Sequence, residues 1–142
     1  MEIEIINKSK NPLPEYKTAS ASGMDLHVAL DEEITLKPME RRLLPTGLYV
    51  SIPTGYEGQI RPRSGSTSKT GLYTFLGTID SDYIGELRIS CINLSDESII
   101  VRNGDRPAQL VIAPYKKVAW KPTLKLSETA RGENGFGHTG KN

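Results

Sequence analysis

The sequence has few of the residues that build several common kinds of functional site. Its 142 residues include one cysteine and two histidines, which excludes an intrachain disulfide and a cysteine-cluster metal site and disfavours a histidine-built one. No apolar run approaches the ~20 residues of a membrane span, and Met1–Ile6 lacks the features of a secretory signal. A net charge of +1 offers no basic field for nucleic acid. These absences predict one cytoplasmic domain, or a nuclear one if the source is eukaryotic, that binds neither nucleic acid nor membrane.

Glycine and proline, by contrast, are abundant and spread along the whole chain. Thirteen glycines and nine prolines divide it into short segments, a pattern that predicts many strands and few helices. Strands are expected at Glu33–Leu36, Arg41–Leu44, Leu48–Ile52, Tyr56–Arg61, Leu72–Leu76, Glu86–Asn93 and Ser98–Val101. The second and third of these are separated by Pro45-Thr46-Gly47, which is predicted to form a turn. Such regular spacing is typical of a β-sandwich, jelly roll or barrel, with Cys91 as a small core side chain.

The stretch Gly77–Gly85 is the most informative one for chemistry. It joins two predicted strands, and its terminal glycines are expected to let the backbone turn tightly into a hairpin. Between them lie Asp80, Asp82 and Tyr83. A carboxylate held next to an aromatic ring can orient a water molecule and stack a planar ligand. The alternative is a polar turn in which both aspartates only cap the local backbone.

A second polar stretch, Arg61–Gly71, interrupts the strand pattern. Ser64 is a candidate cap for a short helix, and the free N–H groups at a helix start bind anions. Arg63 adds a planar, charged donor group suited to phosphate. The alternative is a solvated serine- and threonine-rich loop whose charges are incidental.

Two isolated polar residues fall within predicted strands. Asp25 lies on the face opposite Met24 and Leu26, together with His27, which is interpreted as a surface or interface histidine. Without other groups beside it, Asp25 would be an ordinary solvent-facing strand residue. Gln109 is flanked by residues that should be buried, so its amide must either pair with nearby backbone or face a site.

The C-terminal region is predicted to behave differently from the rest. Trp120–Leu126 is a candidate last strand, which Pro122 would restrict to a sheet edge or turn into an arm laid on another subunit. After it, residues 132–140 hold four glycines. The spacing resembles a Walker A loop, but Asn142 stands where that loop has Ser or Thr, so that interpretation fails. A flap that orders over a phosphate-bearing ligand remains, and the alternative is a frayed terminus.

Together these stretches predict a pocket for a nucleotide polyphosphate. Arg63-Ser64-Gly65 would be its anion-binding turn and Asp80 its base. Tyr83 and Phe136 would form a stacking surface, and Arg131 and Thr139 would belong to a closing flap. Asp25 could support a Mg²⁺ ion that keeps its waters, since this ion prefers oxygen ligands and dehydrates reluctantly.

At this point the sequence resembles the trimeric dUTP pyrophosphatases, the dUTPases. Five segments match the motifs of that family in its order: Ser22–Leu26, Pro62–Gly65, Gly77–Gly85, Gly104–Leu110 and Arg131–Gly140. They are spread over most of the chain, from residue 22 to residue 140, and their joint occurrence is far more specific than any one of them. Three places depart from the family pattern, namely Ser66-Thr67, Pro107 and Asn134. None of these departures removes a proposed chemical group.

The resemblance implies an all-β, jelly-roll-like sandwich or barrel subunit with one short helix, assembled as a homotrimer with a swapped C-terminal arm. It implies a β domain at residues 1–126 and a glycine-rich flap at 127–142 that closes over a neighbouring subunit's site. It further implies Mg²⁺-assisted hydrolysis of dUTP to dUMP and pyrophosphate by water attack on the α-phosphate. Such an activity limits uracil in DNA and supplies dUMP for dTMP synthesis.

The resemblance also implies residue roles at the nucleoside end of the substrate. Asp80 would activate the attacking water, and Tyr83 would pack under the deoxyribose and leave no room for a 2′-hydroxyl. Phe136 would cover the uracil ring. The uracil edge would pair with hairpin backbone at Leu76, Gly77, Thr78 and Ile79.

At the phosphate end, the same resemblance implies two sets of contacts and a metal. Phosphates would be bound near the anion-binding turn by Arg63, Ser64, Gly65 and Gln109. The γ-phosphate end would be bound by the flap residues Arg131, Gly137, His138 and Thr139. Asp25 would hold Mg²⁺ through water.

Three rival functions remain open on the sequence. A dCTP deaminase shares the fold by family knowledge but uses a glutamate base where this chain offers Asp80. A non-catalytic trimer that senses nucleotides or binds proteins would keep the fold with a degraded site. A purely structural jelly roll leaves the glycine-rich tail unexplained.

Overall fold

Ten strands and one short helix are found in the computed structural model, which describes residues 1–133 and only the backbone of Ser64, Ser66 and Thr67. The strands are β1 (Glu4–Asn7), β2 (Met24–Leu26), β3 (Ile34–Leu36), β4 (Arg41–Ser51), β5 (Tyr56–Pro62), β6 (Leu72–Thr74), β7 (Gly77–Ile79), β8 (Glu86–Asn93), β9 (Ile99–Val101) and β10 (Ala108–Pro114), and the helix is α1 (Ser64–Thr70). In this described part no helix is long and apolar enough to cross a membrane.

The strands form two four-stranded sheets and one two-stranded sheet. The order is β1-β4-β8-β6 in the first sheet, β2-β10-β5-β7 in the second, and β3-β9 in the small one. Every pair of neighbours is antiparallel. The predicted all-β, jelly-roll-like fold with a single short helix is confirmed.

The core lies between the two large sheets, because their strands alternate between buried and exposed residues. Along β4 every second residue from Leu44 to Val50 is buried, and along β8 the buried residues include Leu87 and Ile89. Cys91 is fully buried too, as predicted, and burial raises the pKa of its thiol to about 11. Each large apolar side chain buried in this way contributes about 1.5–3 kcal/mol.

Strand β4 corrects the prediction of two strands separated by a turn. The chain runs through Pro45-Thr46-Gly47 as one strand, and its register against β8 shifts between Pro45 and Tyr49. The Thr46 hydroxyl replaces the missing ladder bonds, since it donates to the Leu87 carbonyl at 2.6 Å and accepts from Leu48 N at 3.1 Å. Gly47 adopts a φ of 69°, which favours glycine. The turn residues therefore build a β-bulge.

The stretch Gly77–Gly85 also differs from the simple hairpin that was predicted. Its first residues form β7, which leaves the sheet of β6 and β8 and pairs with β5, Gly77 lying opposite Ile60. Only the part after β7 turns, with Tyr83 N donating to the Asp80 carbonyl at 3.1 Å. Neither terminal glycine has a positive φ. The predicted hairpin is thus a crossing from one sheet to the other followed by a short turn.

The candidate last strand at Trp120–Leu126 is not formed. Within the described range, residues 115–133 contain no strand. The side chains of Trp120, Leu124 and Leu126 are all strongly exposed, Trp120 at 90%. The predicted strand at a sheet edge is therefore wrong, and the alternative, an arm laid on another subunit, stays a prediction.

The bulge yields a stability prediction for Thr46→Val. Valine keeps the shape but leaves Leu87 O and Leu48 N without the hydroxyl, and each buried group left unpaired costs about 1–3 kcal/mol. Thr74→Val is the matched control, because Thr74 is equally buried but makes only one such bond, to Pro107 O at 3.0 Å. We expect urea unfolding at one protein concentration to show the larger loss for Thr46→Val. Equal losses would contradict the role given to the Thr46 hydroxyl.

Candidate active site

Asp25 lies at the centre of a charged cluster built from three of the five matched segments. Its carboxylate pairs with Arg63 Nε at 2.8 Å and with Arg106 Nη1 at 3.2 Å. Arg63 Nη1 also donates to the Arg106 carbonyl at 2.8 Å. The sheet produces this arrangement, because β2 and β5 flank β10, so that residues at the ends of β5 and β10 lie beside Asp25.

Gln109 joins the same cluster from the middle of the sheet. It lies opposite Asp25 in the register of β10 and β2, and its Nε2 donates to the Pro62 carbonyl at 3.1 Å. A Cβ on Gly23 would overlap the Gln109 amide oxygen. The amide therefore pairs with backbone, one of the two predicted outcomes, and it does so next to Arg63. Glycine at position 23 is the residue that leaves room for it.

The charge balance of the cluster favours an anionic ligand. Two guanidinium groups face one carboxylate, and the side chains of Arg63 and Arg106 remain 34% and 42% exposed. Helix α1 begins directly after Arg63 and has no acidic residue in its first turn. Exposed positive charge with donors still facing solvent suits phosphate oxygens.

His27 borders the cluster and is half-buried. Burial lowers its pKa, and the positive charge of Arg106 lowers it further. Within the described residues its buried Nδ1 has no hydrogen-bond partner. The neutral ring is favoured, so His27 adds no further positive charge next to the two arginines.

Asp80 belongs to a second group, at the turn that follows β7. Asp80 and Tyr83 are exposed and border a cleft of about 290 Å³. The cleft is lined by Leu43, Thr78, Ile79, Asp80, Tyr83, Glu86 and Arg88. Strand β7 is the end strand of its sheet in the described structure, so backbone N–H and C=O groups on its outer side face the surroundings. The arrangement offers a carboxylate, an aromatic ring and unpaired backbone groups at one place.

One chain does not bring the two groups together. Asp80 follows Ile79, which pairs with Gly58 of β5, whereas Arg63 comes after the other end of β5. Five residues of extended strand separate Gly58 from Arg63, about 16 Å at ~3.3 Å per residue. Within one chain Asp80 and Arg63 therefore lie at opposite ends of β5.

The predicted Mg²⁺ site at Asp25 has few protein donors around it. In residues 1–133 no group of three or more His, Cys, Asp or Glu side chains could hold a metal ion. Asp25 supplies one carboxylate, and both of its oxygens accept hydrogen bonds from arginines. This chemistry fits an ion that keeps its waters and is held mainly by substrate phosphates, not one enclosed by protein ligands.

The remaining predicted residues are described only in part. Gly65 lies in the first turn of α1, and Arg131 is exposed on the C-terminal segment. Phe136, Gly137, His138 and Thr139 lie outside the described residues, as does the side chain of Ser64. Arg106 is a cluster residue that sequence reasoning missed. The sequence offered one signal for Arg106: it follows a turn and lies two residues before β10, the strand that pairs with β2 and Asp25.

Comparison with known proteins identifies the family. A sequence model described as dUTPase matches residues 9–140. The chain belongs to the dUTPase family. The deoxyuridine 5′-triphosphate nucleotidohydrolase of Finegoldia magna is 52% identical over 142 residues, 99% of each chain. That of Syntrophotalea carbinolica is 51% identical over 134 residues, covering 93% of this chain and 91% of its own.

Solved structures of dUTPases agree with this assignment. The Staphylococcus bacteriophage 80alpha dUTPase with dUpNHpp superposes with a TM-score of 0.89 at 31% identity, covering 99% of each chain. The family membership that the five sequence segments predict is thus confirmed.

Proposed function

We propose that this chain hydrolyses dUTP to dUMP and pyrophosphate, with Asp80 activating a water molecule that attacks the α-phosphate. The observation that carries the proposal is the full-length match to dUTPases together with two clusters of complementary chemistry. One cluster is positive and suits a polyphosphate. The other offers an exposed carboxylate and an aromatic ring beside an open strand edge.

Asp80 is suited to the role of general base. Water is a poor nucleophile, and a fixed carboxylate within hydrogen-bond reach removes its proton as the new bond forms. The main-chain bond from Tyr83 N to the Asp80 carbonyl closes the turn on which the carboxylate stands. The proton passes to the Asp80 carboxylate, and pyrophosphate leaves opposite the attacking oxygen.

The positive cluster is suited to the triphosphate. Arg63, Ser64, Gly65 and Gln109 are the proposed phosphate contacts, and the structure adds Arg106 beside them. Their contribution is positioning and charge stabilisation, which dominate phosphoryl-group chemistry. Mg²⁺, when bound, would neutralise further phosphate charge, and Asp25 is the residue that would hold it through water.

Strand β7 is suited to selecting the base. We assign the uracil edge to the backbone of Leu76–Ile79, and β7 within that range has one unpaired edge in the described sheet. A close backbone leaves no room for the methyl group of thymine. Cytosine would present the wrong hydrogen-bonding groups and leave buried polar atoms unpaired, a strong form of rejection.

A homotrimer would bring the two groups together from different chains. The 16 Å or so of β5 between Gly58, which pairs with β7, and Arg63 supports a site whose two groups come from different subunits. The exposed apolar arm around Trp120 and Leu124 supports exchange of C-terminal segments. We therefore propose a domain at 1–126 and a flap at 127–142 that carries Arg131, Phe136 and residues 137–139 to a neighbour's site.

A cytoplasmic location is part of the same proposal. The single cysteine is buried and outside any disulfide in the described structure, which suits a reducing compartment. The relatives named above come from bacteria.

Substrate specificity provides the direct test of the proposed function. Offered dUTP, dCTP, dTTP and UTP with Mg²⁺, the protein should release pyrophosphate from dUTP far faster than from the other three. Ammonia release from dCTP would show a deaminase instead. Binding of dUTP without any pyrophosphate would show a nucleotide-sensing protein.

The role of Asp80 predicts separate effects on turnover and binding. Asp80→Asn removes the base but keeps the size of the side chain, so turnover should fall by about 10²–10⁴-fold while dUTP still binds in calorimetry. Asp82→Asn, the same change in the same exposed turn, is the control and should have a much smaller effect. Normal turnover by Asp80→Asn would remove this residue from its assigned role.

The flap predicts that activity and assembly can be separated. A chain ending at Leu126 keeps the described strands and the arm, so sedimentation should still find the oligomer of the full chain. Its pyrophosphate release should be close to zero, because the flap residues are gone. Full activity of the truncated chain would rule out the flap, and dissociation would show that residues 127–142 hold the subunits together.

A further inference from the structure

The ring of Tyr83 is held in place by the backbone that follows it. Its hydroxyl donates to the Glu86 carbonyl at 2.9 Å. A Cβ on Gly85 would overlap the Tyr83 hydroxyl and lie 2.9 Å from ring atom Cε2. Since Gly85 lacks a positive φ, glycine is needed there for space and not for a turn. The ring packs directly on the Gly85 backbone.

The side chain of Glu86 ties this backbone to the bulge in β4. Its Oε1 accepts from Gly47 N at 2.9 Å, and its Oε2 accepts from Arg88 Nε at 3.0 Å. The ladder between β4 and β8 is interrupted at this point, so the Gly47 N–H would otherwise have no strand partner. The Glu86 side chain is only 15% exposed. The Glu86 carboxylate thus replaces a missing ladder bond, and the carbonyl of the same residue holds the Tyr83 hydroxyl.

The bulge is itself fixed on its far side. Lys8 N donates to the Gly47 carbonyl at 2.8 Å, and a Cβ on Gly47 would lie 2.9 Å from Ser9 N and Cβ. Both backbone polar groups of Gly47 are therefore hydrogen-bonded, the carbonyl to Lys8 N just after β1 and the N–H to Glu86. Glu86 therefore connects the bulge to Tyr83: its side chain binds Gly47 N and its carbonyl binds the Tyr83 hydroxyl.

We propose that Glu86 and Gly85 are positioning residues that set the place of the Tyr83 ring and thereby the discrimination between deoxyribose and ribose. The inference rests on the proposed function, in which Tyr83 packs against the sugar. Exclusion of one hydroxyl is steric, and a misplacement of about 1 Å can change rates by about 10²-fold. Glu86 does not touch the substrate in this proposal; it acts through Tyr83.

The test compares kcat/KM for dUTP and UTP in the full-length protein. Glu86→Ala should lower the dUTP-to-UTP ratio by about tenfold or more, because it releases Gly47 N–H and loosens the carbonyl that holds Tyr83. Glu86→Gln should keep most of the ratio, since its amide oxygen can still accept from Gly47 N. Glu33→Ala is the control: Glu33 makes a similar 3.0 Å pair, with Arg102 Nε, but is 56% exposed.

Two further variants keep the test decisive if Glu86→Ala folds poorly. Gly85→Ala should displace the ring directly and lower the same ratio. Tyr83→Ala should lower it as well, and adding Glu86→Ala to that variant should cause no further fall, because a residue that acts through Tyr83 cannot act once the ring is gone.

The outcomes separate this proposal from the proposed function. If the unaltered protein and Glu33→Ala release no pyrophosphate from dUTP, the proposed function is wrong. If both are active but Glu86→Ala and Gly85→Ala keep the normal dUTP-to-UTP ratio, the positioning role is wrong. An equal fall for both nucleotides, together with a lower melting temperature, would also overturn it, since that is the effect of a purely structural residue.

Discussion

Strand β5 imposes the constraint on which the proposed site depends. It carries β7 and the Asp80 turn near its beginning and the Arg63 cluster after its end. An extended strand cannot shorten, so Gly58, which pairs with β7, and Arg63 stay about 16 Å apart in one chain. In the proposed trimer the two groups of one site would come from different copies of the chain, so that assembly would be part of the chemistry. The exposed arm after β10 would be a means of holding such copies together.

The polar interactions of the subunit divide into two kinds with different consequences. Asp25 lies in β2 with its two arginines beside it, and the charge of the arginines remains accessible to a ligand. Thr46 of β4 and Glu86 of β8 form hydrogen bonds at the β4 bulge and replace backbone bonds that the ladder lacks there. Removing a partner in the first group changes what can bind. Removing Thr46 or Glu86 leaves a backbone group at the bulge unpaired. Such a change affects the site only by moving the residues that form it.

Much of the fold class and the chemistry could be predicted from the sequence, and much of the geometry could not. The turn residues and strand spacing predict a β-sandwich, and the motif around Asp80 predicts a site. The composition of Pro45-Thr46-Gly47 is that of a turn, and so predicts one. Only the Thr46 hydroxyl bonds and the Glu86 carboxylate make it a bulge, and both come from long-range contacts. Arg106 was missed for the same reason, since its pairing with Asp25 spans 81 residues.

The pairing of Asp25 also bears on how the site would receive its ligand. The carboxylate orients both guanidinium groups before any phosphate arrives, and groups oriented in advance need no reorganisation when charge develops. It also offsets part of their charge, which keeps Arg63 and Arg106 close together although they repel each other. A bound polyphosphate would use the guanidinium donors that still face solvent, and a water-covered cation beside Asp25 would add positive charge next to the phosphates. Anion and cation binding are therefore expected to support each other at this cluster, because each one offsets the charge that the other leaves unpaired.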